Sequence, residues 1–198
     1  TNFNSLGNIG SAMHIIQNAD FEKDPAYYYT QCGFKCKYKA HDDVNQMTFL
    51  KGWWQFDMKG TLRWVPLPGM VLKIGKTKRD PVLIAKNKNR NEANRICAYA
   101  LASSPGYVPH DYPIFGKWLV TMKKLGTISN IKLYTRFERT FRNSLYVLDR
   151  KLAVEAVFKR YGIYEAEILE IERTLDEVTQ LSTVVGFEGL RKLLIDYV

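Results

Sequence analysis

Residues 47 to 65 read MTFLKGWWQFDMKGTLRWV, and the fold turns on how this stretch divides. Thr48-Phe49-Leu50 and Trp53-Trp54 are β-branched, large apolar or aromatic residues. Thr61 to Val65 alternates polar with apolar at the two-residue period of a strand buried on one face. Between the runs lies the polar, glycine-ended Asp57-Met58-Lys59-Gly60. Two such runs around a short glycine-closed loop predict an antiparallel hairpin. Neighbouring residues of a strand face opposite ways, so Trp53 and Trp54 divide between a core and a second surface. An ordinary hairpin in any α+β domain gives the same periodicity.

The whole chain sets the frame around this hairpin. With 198 residues it can bury a sizeable core in one or two domains. Hydrophobic residues make up 46% and aromatics 13%, a globular rather than disordered balance. Lys and Arg number 29 against 20 Asp and Glu, a net charge of +9 that favours a polyanionic partner. No apolar run approaches the roughly 20 residues that span a bilayer. The first residues, TNFNSLGNIG, have neither a basic start nor an apolar signal core. Cys32, Cys36 and Cys97 are an odd count in no disulfide pattern and point to a reducing compartment. Cys32, Cys36 and His41 lack the fourth ligand of a zinc site.

Before the hairpin, Leu6, Ile9, Met13 and Ile16 recur at helical spacing. Asp24-Pro25 predicts a helix start and Gly33 its end. From Phe34 to Ala40 the period becomes two, with Lys35, Lys37 and Lys39 on the outer face of a half-buried strand. His41-Asp42-Asp43 then reads as a turn. After the hairpin, the segment Lys76 to Arg95 is the basic centre of the chain: Lys76, Lys78, Arg79, Lys86, Lys88, Arg90 and Arg95 face only Asp80 and Glu92. Such clustering suits phosphate neutralisation, and without an aromatic between them base stacking is not on offer. Five apolar stripes follow at helical spacing. They run from Ala93 to Leu101; from Pro113 past Trp118 to Gly126; over Phe137, Phe141, Leu145 and Leu148; from Leu152 to Gly162; and over Ile168, Ile171, Leu175 and Val178. Leu190, Leu193, Leu194 and Tyr197 make a last short one.

Phe49-Leu50-Lys51-Gly52 resembles the FLKR-type motif of picornavirus-like RNA-dependent RNA polymerases, the primer-gripping hairpin between palm and thumb. Its neighbours agree in order. Phe3-Asn4-Ser5-Leu6, with Asn8 following, is similar to the tail of polymerase motif B. The match implies a nucleotide-binding role for Asn4 and the adjoining Ser5, Asn4 helping to recognise the ribose 2′-hydroxyl. A helix, a glycine and a lysine-bearing strand over residues 24–40 resemble motif D. That likeness implies Lys39, or Lys37 after it, as the general acid that protonates the leaving pyrophosphate. Pro66-Leu67-Pro68-Gly69-Met70-Val71 and Lys76 to Pro81 resemble the crossing from motif E into the thumb.

The likeness departs from the usual order in one respect. No Asp-Asp metal motif stands between Asn4 and Gly33, and Asp42-Asp43 lies in the wrong place for one. Motif B running straight into motif D is similar to the permuted palms of permutotetraviruses and birnaviruses. The resemblance therefore implies an α+β chain, with residues 1–66 a palm remnant carrying motifs B, D and E and residues 67–198 a helical thumb. Phe49, Leu50, Lys51, Trp53 and Trp54 would form the primer grip, and the Lys76–Arg95 cations would lie along duplex RNA. Nucleotidyl transfer in the parent enzyme uses Mg or Mn ions on aspartates outside this chain, so these residues alone are expected to be inactive. The implied partners are template and primer or product RNA, nucleoside triphosphates and the rest of the polymerase, in a virion or the cytoplasm of an infected cell. The competing expectation is a non-catalytic basic RNA-binding module.

Overall fold

Gly52 decides where the aromatic run divides. In the computed structural model, which describes residues 27, 30–33, 35, 41, 43–49, 51–73, 79–103, 108–131, 146–183 and 185–196, residues 48 to 54 are not one strand. They form β1 (Thr48–Phe49) and the start of β2 (Gly52–Phe56), with Phe49 opposite Gly52 across a two-residue reversal. A side chain at position 52 would overlap the Trp64 indole, whose Nε1 donates to the Phe49 carbonyl at 2.7 Å. Lys51 takes a left-handed conformation, φ 62°, to close the turn. The predicted larger hairpin is present: β2 pairs with β3 (Leu62–Pro66) in antiparallel register, Trp53 against Val65 and Trp54 against Trp64. The sheet order is β1-β2-β3.

The Asp57–Gly60 loop is held by its own first residue. The Asp57 carboxylate accepts from the backbone N–H groups of Lys59 and Thr61, both at 2.9 Å, and from Arg63 Nε at 2.7 Å. Burial pushes this carboxyl up, but the Thr61 N–H, the Arg63 guanidinium and the Lys59 N–H together hold it below the usual range. The loop also pairs with a distant segment: Met58 N–H donates to the Val147 carbonyl and Asp149 N–H to that of Phe56. Leu148 therefore forms a bridge with Asp57 rather than closing a helical stripe, which corrects that expectation. Phe137, Phe141 and Leu145 lie outside the described residues.

The chain is mixed α and β. Seven helices are present among the described residues: α1 (Pro68–Val71), α2 (Pro81–Ala85), α3 (Arg90–Ser103), α4 (Phe115–Leu125), α5 (Arg150–Tyr161), α6 (Glu165–Glu177) and α7 (Glu188–Lys192). Short 3-10 turns occupy Val44–Gln46 and Leu193–Asp196. Caps account for several ends. Asp80 accepts from Val82 N–H at the start of α2, and Asp149 from Leu152 N–H at the start of α5. Gly126 follows α4, and Gly162 follows α5 at φ 64°. Upstream, Thr30 and Gln31 are helical and the Gly33 N–H returns to the Thr30 carbonyl. Asp43 caps the first 3-10 turn by accepting from Asn45 N–H, a turn role as expected for the His41–Asp43 run. Asp42 lies outside the described residues.

One core joins sheet and helices. Trp53 and Val65 from the sheet are buried with Leu67, Val71, Leu119, Val157, Ile168, Ile171 and Leu193. Trp53, at 0% exposure, donates from Nε1 to the Tyr112 hydroxyl at 3.0 Å, and that hydroxyl donates to the Pro66 carbonyl at 3.0 Å. The Tyr161 ring meets the indole edge-on at 5.8 Å between centroids. Burial raises the Tyr112 hydroxyl well above its ordinary pKa, so it stays protonated and able to donate. α3 and α4 pack through smaller groups, with Ala93, Cys97, Ala98 and Ala100 buried.

Candidate nucleic-acid interface

Two regions carry the residues expected to meet RNA. The first is the β1–β2 reversal. Phe49 is half-buried and Lys51 exposed, and the Lys51 carbonyl accepts from Leu67 N–H at 3.0 Å, tying the reversal to the start of α1. Trp53 points into the core. Trp54 lies on the other face of β2, half-buried, opposite Trp64. The two indoles thus divide as strand geometry requires, and Trp53 supports the hairpin from behind without reaching solvent. Leu50 lies outside the described residues, as do Asn4, Ser5, Lys37 and Lys39.

The second region runs from Arg79 to Arg95; Lys76 and Lys78 lie outside the described residues. Arg79, Lys86, Lys88, Arg90 and Arg95 are all exposed. Lys86 ends α2 in a left-handed conformation, φ 51°, and Lys88 follows in the link to α3. Arg90 is not an uncommitted cation: its guanidinium lies 2.9 Å from Asp80. The Asp80 carboxylate, held by the Val82 N–H and by Arg90, sits below its usual pKa. Arg95 turns toward α4, its Nε donating to the Leu125 carbonyl at 3.3 Å. Of the five described cations, Lys86 and Lys88 sit in the α2–α3 link.

Lys123 and Lys124 extend this basic surface and are absent from the sequence-based track. Both are exposed on the last turn of α4, and Lys123 Nζ lies 5.8 Å from the centre of the half-buried Tyr99 ring of α3. Their sequence signal is two lysines ahead of Gly126, the placement a helix C-terminus favours. That signal marks a helix end and says nothing of which surface the lysines join. The Arg95 bond to the Leu125 carbonyl and the Lys123 contact with Tyr99 join the end of α4 to α3.

Other polar groups serve the scaffold. Arg160 pairs with Asp196 at 3.0 Å, beside the Tyr161 hydroxyl that also donates to Asp196, and its guanidinium lies over the Trp53 ring. Burial first, and Asp196 second, push the Tyr161 hydroxyl up. Asp111 is raised by burial, and its Oδ2 has no hydrogen-bond partner. Among the described residues no three of His, Cys, Asp and Glu come together as a metal site. No helix among them is long and apolar enough to cross a membrane. Comparison with protein families, with characterised proteins and with solved structures returns no match for this chain.

Proposed function

We propose that this chain is the C-terminal palm and thumb portion of a viral RNA-dependent RNA polymerase, of the kind with a permuted palm. The observation that carries the reading is the position of Phe49-Leu50-Lys51-Gly52. The tetrapeptide sits at a chain reversal, Gly52 is sterically required there, and Lys51 projects from it. An exposed cation at a chain reversal, next to a buried indole, suits contact with a primer phosphate. The Arg79–Arg95 cations, with Lys123 and Lys124, then offer sequence-independent phosphate contacts along a duplex. On this reading Lys39, with Lys37 the second choice, donates a proton to the leaving pyrophosphate, and Asn4 and Ser5 meet the incoming nucleotide. The divalent ions that align primer and leaving group belong to aspartates elsewhere in the parent polypeptide.

A second reading has its own support. Sheet and helices share one core, as an independent RNA-binding module requires. The two readings separate in the parent polypeptide. For the polymerase, Lys51→Ala should slow primer extension while changing the KM for nucleotide little. RNA binding with no primer extension by the parent polypeptide under any divalent ion would leave the module.

A further inference from the structure

Three non-glycine residues among the described ones have a positive φ: Lys51 at 62°, Lys86 at 51° and Ile114 at 67°. Such a backbone crowds a side chain and persists where something requires it. For Ile114 the fold supplies a reason, because its N–H donates to the Glu172 carboxylate. For the two lysines the fold uses the main chain alone. The Lys51 carbonyl accepts from Leu67 N–H at the β1–β2 reversal. At the end of α2 the N–H groups of Lys86 and Asn87 both return to the Val82 carbonyl, where glycine is the usual residue. Both lysine side chains are exposed, and neither ammonium group has a hydrogen-bond or ion-pair partner among the described residues. Arg90 and Arg95, by contrast, are engaged by Asp80 and by the Leu125 carbonyl.

We propose that Lys51 and Lys86 are the phosphate anchors of this chain, each kept at a left-handed turn because its ammonium group holds one phosphodiester of RNA. Glycine at either position would relieve the backbone, since the strain outweighs the freedom a glycine loses on folding. The chain carries a cation there instead, at a cost in stability that only binding offsets. An ammonium group is a point charge with rotatable donors, suited to a phosphate oxygen whatever base follows it. Arg90 and Arg95 then serve the fold more than the ligand. This role rests on the RNA binding that both proposed readings share, and it separates the cations that bind from those that hold the structure. Lys88 stands two residues beyond Lys86, exposed and without a positive φ, and so serves as the internal control.

Two measurements on the 198-residue chain test the pair together: urea unfolding, and anisotropy of a labelled primer–template RNA hairpin across a salt series. Lys51→Gly and Lys86→Gly are each expected to raise the urea midpoint while weakening RNA about tenfold. Each should also flatten the slope of log K against log salt by about 0.7–0.9. Lys51→Arg and Lys86→Arg, which keep charge and strain, should match wild type in both measurements. Lys88→Gly should not raise the midpoint, having no strain to relieve. Lys151→Gln, which removes an exposed cation of α5, should leave affinity close to wild type. Where a glycine variant loses its fold, Lys51→Asn or Lys86→Asn replaces it, because asparagine tolerates the left-handed region. Unchanged or lowered midpoints would overturn the strain, and wild-type affinity in the glycine variants would overturn the anchoring. An equal loss in Lys151→Gln would assign the effect to net charge and overturn it too. A wild-type chain that binds no RNA would remove the RNA reading itself, and the anchors with it.

Discussion

The hairpin and the α2–α3 segment both carry residues that the sequence marks for RNA, yet they are built in opposite ways. The hairpin is fixed from behind: Trp53 is buried and bonded to Tyr112, Gly52 is pressed against Trp64, and Asp57 organises the loop. The α2–α3 segment presents exposed cations along a 5-residue helix and a 14-residue helix, the longer one buried through alanines and a cysteine. In the hairpin, function would rest on shape, so substitutions strike the fold first. In the α2–α3 segment, function would rest on charge, so substitutions can remove binding and leave the fold alone.

Trp53→Ala should break the first half of that contrast most severely. Emptying a fully buried indole site and removing the N–H that the Tyr112 hydroxyl accepts should cost about 3–5 kcal/mol in urea unfolding. Gly52→Ala should cost about 1–3 kcal/mol by overpacking against Trp64, and Gly52→Ala with Trp64→Ala should be less than additive. Additive losses would mean the reversal is not set by that indole. Asp57 carries a lowered pKa in the fold, so its stabilisation is present above about pH 4 and lost as pH falls through the lowered value. Asp57→Asn should therefore flatten the acid side of a stability profile.

Asp111 has the opposite sign. Its raised pKa means that stability present below the ordinary carboxyl range is lost as pH rises through the folded value. Asp111→Asn should give a small gain near pH 7, read as a raised Tm. The smallest stability effect belongs to the other region. Lys86→Gln with Lys88→Gln should leave unfolding within about 0.5 kcal/mol of wild type. The same pair should flatten the plot of log K against log salt by about 0.7–0.9 for each phosphate no longer neutralised, whatever the RNA sequence. Arg90→Gln should add less, because Asp80 already holds that guanidinium. A pair that destabilises the chain, or keeps the full salt slope, would erase the contrast between the regions.

Helices α3 to α7 are legible in the sequence because each pairs an apolar stripe with a glycine, proline or polar stop. The reversal ahead of Gly52 is not, because Thr48 to Leu50 and Trp53-Trp54 both suit a strand and a lone glycine between them fits a bulge or a close backbone approach equally well. The need for glycine at position 52 comes from contact with Trp64, on β3, twelve residues further along. Asp80-Pro81 repeats the helix-start pattern of Asp24-Pro25, but the cations around it draw the eye to charge. Leu148 fits a helical stripe, and its pairing with Asp57 depends on a segment far earlier in the chain. The burial of Gln55 is invisible because it stands among aromatics as an ordinary strand residue, and only the packed fold leaves its amide Nε2 without a partner.

Ile114 carries a consequence for how the fold opens. Pro113 predicts the opening of α4, yet the helix begins at Phe115, and Ile114 before it stands at φ 67° and ψ −52°. A β-branched residue is held in that region only when its surroundings demand it. Here the Glu172 carboxylate of α6 accepts the Ile114 N–H at 2.8 Å while also binding Arg150 of α5 at 2.7 Å. The start of α4 is thus tied to a helix 58 residues further along the chain. The Phe115 N–H to Pro113 carbonyl bond at 2.7 Å closes the turn locally, but the Ile114 N–H finds its acceptor only when α6 docks, so this junction should open as a unit with α6. In hydrogen exchange, the amides at the start of α4 should share the protection of α6, and Glu172→Ala should release both together while the β2–β3 ladder keeps its own slower exchange.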